Sequence, residues 1–240
     1  RAKDSKSLIS WIRMQIAALR RLDAPLQTRD LPVMTVNHYE DMTAALNDQT
    51  DAAIWSRIIP SPVLAWINSL PADQLPSARI VLSPEHVSHA MGEIFEAHSL
   101  APCAALDWLK ADVETLAREV SQAAKTPMVR LRLDPIFNDA CVKMHIDNVF
   151  ARLICTYRGP GTELGLDAGD GPTLASVSPG IPIYMKGKLW MDHDLVGLTH
   201  RSPPILGTGL VRWLVVLEGC RKEDIYPAYD QIYEVPARIR

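Results

Sequence analysis

Three residues of this chain have the types and the spacing to hold a metal ion. His145-Ile-Asp147 puts an imidazole and a carboxylate two positions apart. On a strand such residues face the same way, so both can converge on one ion. Alone the pair is weak evidence: an H-x-D triplet arises readily by chance among seven histidines, and a histidine held by a nearby carboxylate explains it at least as well. The rest of the pattern strengthens it. His200 ends an expected strand, a Pro/Gly-rich turn follows, and Arg212 sits inside the apolar run Leu210-Val-Arg-Trp-Leu-Val-Val216. An arginine on a strand apolar on both faces needs a partner, because an unpaired buried charge is strongly destabilising. That partner is either a protein carboxylate or a ligand carboxylate gripped by the guanidinium fork. Two histidines and one carboxylate leave positions open on the metal, the facial arrangement associated with non-haem Fe(II).

Other residues compete for these roles. His193, in the polar turn Met191-Asp-His-Asp194, is the second choice for the third ligand. His38-Tyr-Glu40 has ligand spacing but no companion pattern, and His86 and His89 share a helix face that is better read as solvated. Cys141 and Cys155 would suggest zinc if they pointed at the ion; Cys155 has the parity of Val149, Ala151 and Leu153 and reads as a small buried hydrophobe. Asn148, Arg152, Tyr157, Arg158, Lys186 and Lys188 lie on or beside the expected strands. A satisfied structural role is the plainer reading for each singly, and Tyr157 and Lys186 are the first choices as contacts to a cosubstrate or substrate. Arg158-Gly-Pro-Gly161 is too short for a phosphate loop and no helix follows it. The chain has no G-x-S-x-G, Cys-His protease pattern or dinucleotide fingerprint.

The elements that must position these residues fall into two halves. The first half, residues 1–125, reads as helix-rich. Leu8, Trp11, Ile12, Ile16 and Leu19 recur at helical spacing up to Pro25. Pro62–Leu70 reads as a short helix, Ala78–Leu82 as a short strand, and Ser83-Pro-Glu85 as the start of a helix to about His98. Asp107–Lys125 is the clearest helix, with Trp108, Leu109, Val113, Leu116 and Val120 on one side. At Pro127 the period changes from helical to two, and Met128–Leu133 alternates apolar and basic residues. Strands are expected at Cys141–Asp147, Val149–Tyr157, Ile181–Trp190, Leu195–His200 and Gly209–Leu217, separated by turn-rich pieces. Short strands without intervening helices predict an antiparallel sandwich or barrel over residues 126–222. Residues 223–240 form a tail, either an ordered arm or a frayed end.

Composition removes several function classes. The chain has 240 residues, 48% hydrophobic and 22% charged, which fits one large domain or a domain with an extension. A net charge of −3 gives no basic field for nucleic acid or an anionic membrane, and no apolar stretch approaches the ~20 residues of a membrane span. Four scattered cysteines without a C-x-x-C pair point to reduced thiols and a cytoplasmic protein. The sequence opens on Arg1 rather than Met, so an upstream piece is expected; Leu8–Leu22 carries Arg13, Arg20 and Arg21 and is no signal peptide.

His145-x-Asp147, His200 with Pro204 four residues on, the Gly207/Gly209 turn and Arg212 resemble the jelly-roll core of Fe(II)/2-oxoglutarate-dependent dioxygenases. More narrowly, the segments His145–Glu163, Lys186-Gly-Lys-Leu-Trp190 and His200-Arg-Ser-Pro-Pro204 are similar to bacterial proteins of the family labelled domain of unknown function 1826. Weaker echoes lie around Ala53-Ile-Trp-Ser-Arg57. The resemblance implies an α+β fold: a double-stranded β-helix (jelly roll, cupin-like) with N-terminal helices packed on one sheet, folding as one unit. It also implies that His145, Asp147 and His200 ligate Fe(II), and that Arg212 holds the distal carboxylate of 2-oxoglutarate. The leading function is therefore an Fe(II)- and 2-oxoglutarate-dependent oxygenase acting on an unidentified small-molecule or peptide substrate. Two alternatives stay open: a cupin-like protein that binds or senses metal without turnover, and an interaction module with a vestigial site.

Overall fold

The structure, a computed structural model, describes residues 31–167, 169–190 and 195–233. The expected opening helix over residues 8–22 and the rival ligand His193 lie outside them. Alternation organises the rest. Strand β4 (Met128–Ile136) turns Val129, Leu131 and Leu133 into a core shared with helices, and Arg130, Arg132 and Asp134 to the opposite face. Antiparallel partners flank it: β3 (Ala78–Leu82) on one side and β10 (Arg212–Cys220) on the other. Strand β5 (Ala151–Arg158) follows β10, then β8 (Pro182–Lys186), β2 (Ala52–Trp55) and β1 (Val33–Val36). With β11 (Gln231–Ile232) beside β3, the order is β1-β2-β8-β5-β10-β4-β3-β11. The pairs β1–β2 and β3–β11 are parallel and the others antiparallel.

A smaller sheet, β6 (Glu163–Gly165), β7 (Ala175–Ser176) and β9 (Thr199–Arg201), runs in the order β7-β6-β9. Between the sheets lies an apolar layer including Ile154, Leu164, Ile183, Met185, Leu198, Leu214 and Val216. The outer face of the large sheet carries the helices: α1 (Met42–Ala45), α2 (Ser61–Ser69), α3 (Val87–Ala97) and α4 (Ala104–Ala124). Helix α4 buries Leu109, Val113, Leu116 and Val120 in one cluster with Leu131, Leu133, Val215 and Leu217. At about 1.5–3 kcal/mol per fully buried aliphatic side chain, this stripe holds the helical layer on the sheet. The helix starts where the Cys103 sulfur accepts from the Leu106 amide, and it stops at Lys125, whose φ of 51° is left-handed. The result is an α+β fold, a jelly-roll core with helices packed on one sheet. Among the described residues no helix is long and apolar enough to cross a membrane.

Several expected elements differ. Strands β1 and β2 lie in the half read as helix-rich or mixed, so the large sheet draws strands from both sides of residue 125. Residues 141–147 form no strand. Cys141 has a left-handed φ of 58°, and only isolated bridges follow, Met144 with Gly169 and His145 with His200. His200 lies in the middle of β9 rather than at a strand end. Ser83 spends its hydroxyl on His86 Nδ1 at 2.8 Å rather than on a backbone amide, and a 3-10 turn at Pro84–His86 precedes α3. The tail is an arm through Tyr233, where β11 pairs with β3.

Candidate metal centre

His145 and His200 are brought together by the backbone. They exchange amide–carbonyl hydrogen bonds, each at 3.0 Å, which sets their rings 4.6 Å apart. The segment entering β9 is fixed by buried Asp51, whose carboxylate accepts from the amides of Val196, Gly197 and Leu198 at 2.7–3.0 Å. His145 Nδ1 lies 2.7 Å from the Lys143 carbonyl. A carbonyl can only accept, so this contact assigns the proton to Nδ1 and leaves the Nε2 lone pair free for a metal. The Asp147 carbonyl accepts from the Lys188 amide at 2.9 Å. This close approach requires Gly187, because a Cβ there would stand 2.0 Å from the Val149 carbonyl oxygen.

One donor atom from each of His145, Asp147 and His200 lies within 4.8 Å of the others, and no other such group of metal-binding side chains occurs among the described residues. His145 Nε2 is 3.6 Å from Asp147 Oδ1, and His200 Nε2 is 3.1 Å from Asp147 Oδ2. Oδ2 is nevertheless buried without a hydrogen bond. A buried carboxylate oxygen left this way needs an explanation, and a cation is one that fits. Burial opposes ionisation of Asp147, but His145, His200 and Arg152 outweigh it and hold the carboxyl far below the usual range. His145 in turn is raised, chiefly by its contact with Asp147. The donor set is two imidazole nitrogens and one ionised carboxylate, which suits Fe(II) with open coordination positions.

Arg212 shares a cavity of about 90 Å3 with His145 and His200, lined also by Thr162, Ser202, Ile154, Leu214 and Val216. Its side chain is buried, at 1% exposure. Nε donates to the Pro160 carbonyl at 2.7 Å, Nη1 to Ser202 Oγ at 2.6 Å and Nη2 to Thr156 Oγ1 at 3.4 Å. No carboxylate pairs with it among the described residues. Burial pushes its pKa down to about 10. Of the two partners open to this charge, a protein carboxylate is thus absent among the described residues, while the cavity it lines also holds His145 and His200.

Tyr157 and Lys186 do not reach this site. Tyr157 faces the helices with Leu153 and Cys155, and its hydroxyl donates to Asp112, which also pairs with Arg57. Lys186 lies opposite Ala151 on that same face; its Nζ donates to the Asn47 carbonyl at 2.8 Å and sits 5.6 Å from the Trp190 ring centroid. Both point away because strand parity turns them away. The opposite parity of β5 brings Arg152, Ile154 and Thr156 to the cavity side: Arg152 is one of the polar residues expected on or beside these strands, whereas Ile154 and Thr156 carry no such expectation. Cys155 is buried as expected, with its thiol pushed up to about 12 by burial. Cys141 lines the cavity, exposed. His86 and His89 bond Ser83 and Tyr233 instead of meeting at an ion.

Among curated proteins, none matches the chain. Solved structures that resemble it include a rice dioxygenase for auxin oxidation, 14% identical, with a TM-score of 0.49 over 85% of this chain and 91% of that one. Another is dioxygenase for auxin oxidation 1 from Arabidopsis thaliana in a complex with 2-oxoglutarate, 10% identical, with a TM-score of 0.47 over 83% and 99%. A third is a Pseudomonas putida prolyl-4-hydroxylase, 11% identical, with a TM-score of 0.43 over 77% and 100%. Residues 37–218, more than half of the sequence, match the family described as protein of unknown function (DUF1826), and the chain belongs to that family.

Proposed function

We propose that the protein is an Fe(II)- and 2-oxoglutarate-dependent oxygenase acting on a small-molecule or peptide substrate. The observation that carries this reading is the buried Arg212 guanidinium, with no carboxylate partner among the described residues, in the cavity of a His-Asp-His site. A metal-binding protein without turnover has no need of a desolvated positive charge there. A dicarboxylate cosubstrate supplies what is missing: one end for the metal and the other for the guanidinium fork.

His145 Nε2, His200 Nε2 and an Asp147 carboxylate oxygen would hold the iron. Arg212 would grip the distal carboxylate, steadied by Ser202 Oγ and the Pro160 carbonyl. Ile154, Leu214 and Val216 line the cavity with apolar surface that excludes water and strengthens the ion pair. When bound, the iron and 2-oxoglutarate would supply the redox chemistry with O2 as the oxidant, one oxygen atom going into succinate as CO2 is lost and the other serving oxidation of the substrate. Four free cysteines suit a reducing compartment such as the cytoplasm.

The test is succinate release by iron-loaded protein supplied with 2-oxoglutarate and O2, with chelator as the blank. Wild type should release succinate slowly even without its substrate, and Asp147→Ala, which removes the only anionic ligand, should not. Equal traces from the two would overturn the oxygenase reading. Tight metal binding by a silent wild type would make the protein a cupin-like metal binder instead.

A further inference from the structure

Asp147 has two chemically different oxygens. Arg152 Nη1 approaches Oδ1 at 2.5 Å, whereas Oδ2 has no hydrogen bond. The guanidinium is itself held from behind, with Nε and Nη2 on Glu218 Oε1 at 2.7 and 2.5 Å. Glu218 Oε2 accepts from Arg130 Nη1 at 2.9 Å, and Arg130 grips Asp230 through Nε and Nη2, both at 2.9 Å. Register builds this chain: Arg130 and Glu218 are direct cross-strand partners on β4 and β10. The side chains of Glu218 and Arg130 are each 7% exposed and that of Asp230 is fully buried, so the part of the chain that holds Arg152, itself 19% exposed, is shielded from water.

We infer that Arg152 is a positioning residue: it holds Oδ1 of Asp147 and thereby leaves Oδ2 alone as the oxygen that binds the metal. The inference rests on the metal-binding part of the proposed function and not on turnover. A carboxylate free to rotate can chelate an ion through both oxygens, which would occupy a coordination position that a cosubstrate needs. Fixed by one oxygen, Asp147 spends a single position. Two effects of Arg152 oppose each other. Its positive charge repels a cation, so charge alone predicts that removing it tightens metal binding. Its fixed fork orients the ligand, so orientation predicts weaker binding on removal. Orientation wins, because Glu218 already offsets the guanidinium charge at 2.5 Å.

The experiment titrates Co(II), a spectroscopic probe of coordination number, into the full chain as wild type, Arg152→Gln, Arg152→Lys and Glu218→Gln. Thermal unfolding of each metal-free protein runs in parallel. Arg152→Gln should bind Co(II) about 10- to 100-fold more weakly, the usual effect of losing a group that orients a ligand. Its visible Co(II) spectrum should also change as Asp147 turns to chelation and takes a coordination position otherwise held by water. Arg152→Lys, which keeps the charge but loses the fork, should fall between the two. Glu218→Gln, which touches no metal ligand, should move in the same direction and decides the matter if Arg152→Gln does not fold. Equal or tighter Co(II) binding with an unchanged spectrum in the variants would overturn the inference, as would a wild type that binds no Co(II). A wild type that binds Co(II) but releases no succinate would end the oxygenase reading while leaving this inference to stand or fall on the variants.

Discussion

Arg212→Met should separate binding from stability. In the fold, burial pushes the guanidinium pKa down to about 10 from its ordinary value. At ~1.4 kcal/mol per pH unit, keeping it charged costs about 3 kcal/mol. Methionine fills a similar volume and removes that cost. Against it stands the Pro160 carbonyl, which loses its Nε donor and is destabilising by about 1–3 kcal/mol when left unsatisfied. The Ser202 and Thr156 hydroxyls can rotate to other partners. The balance is a variant about 0–2 kcal/mol more stable than wild type. For a chain of this length that is a Tm unchanged or raised, at ~2–4 °C per kcal/mol. Affinity for 2-oxoglutarate should move the other way. Losing charge-assisted hydrogen bonds worth about 1.5–3 kcal/mol weakens binding roughly 10- to 150-fold, while Co(II) affinity stays close to wild type. Differential scanning calorimetry and calorimetric titration of 2-oxoglutarate into Co(II)-loaded protein measure the two effects. A variant that unfolds well below wild type and binds 2-oxoglutarate normally would refute the reasoning and make Arg212 structural.

Other expectations follow from particular groups. Burial raises the Glu119 pKa despite the hydrogen bond from Thr43, so the fold holds its neutral form better. That stability is present in full below the ordinary glutamate value and lost as pH rises above it; Glu119→Gln should flatten this decline and raise Tm at pH 7, and an unchanged pH profile of Tm would contradict it. Tyr157→Phe removes the hydroxyl bond to Asp112 and should cost about 1–3 kcal/mol in denaturant unfolding. It should leave 2-oxoglutarate affinity unaltered, and a loss of that affinity would return Tyr157 to the site. Asp51→Asn replaces a charged acceptor of three amides leading into β9. It should destabilise by about 2–3 kcal/mol and weaken Co(II) binding through His200, as read by unfolding and titration; an unaffected metal site would show that His200 is placed without Asp51.

Much of the fold was legible because strong patterns were long. The α4 stripe and the change of period at Pro127 mark the helix and the β4 strand that anchor both layers. Strands β1 and β2 have four residues each and are stabilised by partners distant in sequence, β2 by β8, so no local alternation announces them. His145, Asp147 and His200 lie together, one donor atom of each within 4.8 Å of the others, but not for the reason their spacing suggests. His145 and Asp147 meet through the His145–His200 bridge and the Asp147–Lys188 backbone bond, not through parity on a strand. Where parity does apply, on β5, it was followed for Cys155 and not for Tyr157, which shares its face. Applied throughout, it would have put Arg152 and Thr156 on the face opposite the helices and Tyr157 with the helices. Arg152 could not be paired with Asp147 from the sequence, because Glu218, which aims it, enters from β10 far along the chain.

In the proposed function, His145, Asp147 and His200 bind iron while Arg212 grips the 2-oxoglutarate chelated to it. Anaerobic addition of Fe(II) and then 2-oxoglutarate, followed by visible absorption, reads this out, because the charge-transfer band requires both on one centre. Wild type should develop the band, Asp147→Ala should not, and Arg212→Met should develop it only at higher 2-oxoglutarate concentration. A wild type that binds Fe(II) yet shows no band at saturating 2-oxoglutarate would contradict the proposed function.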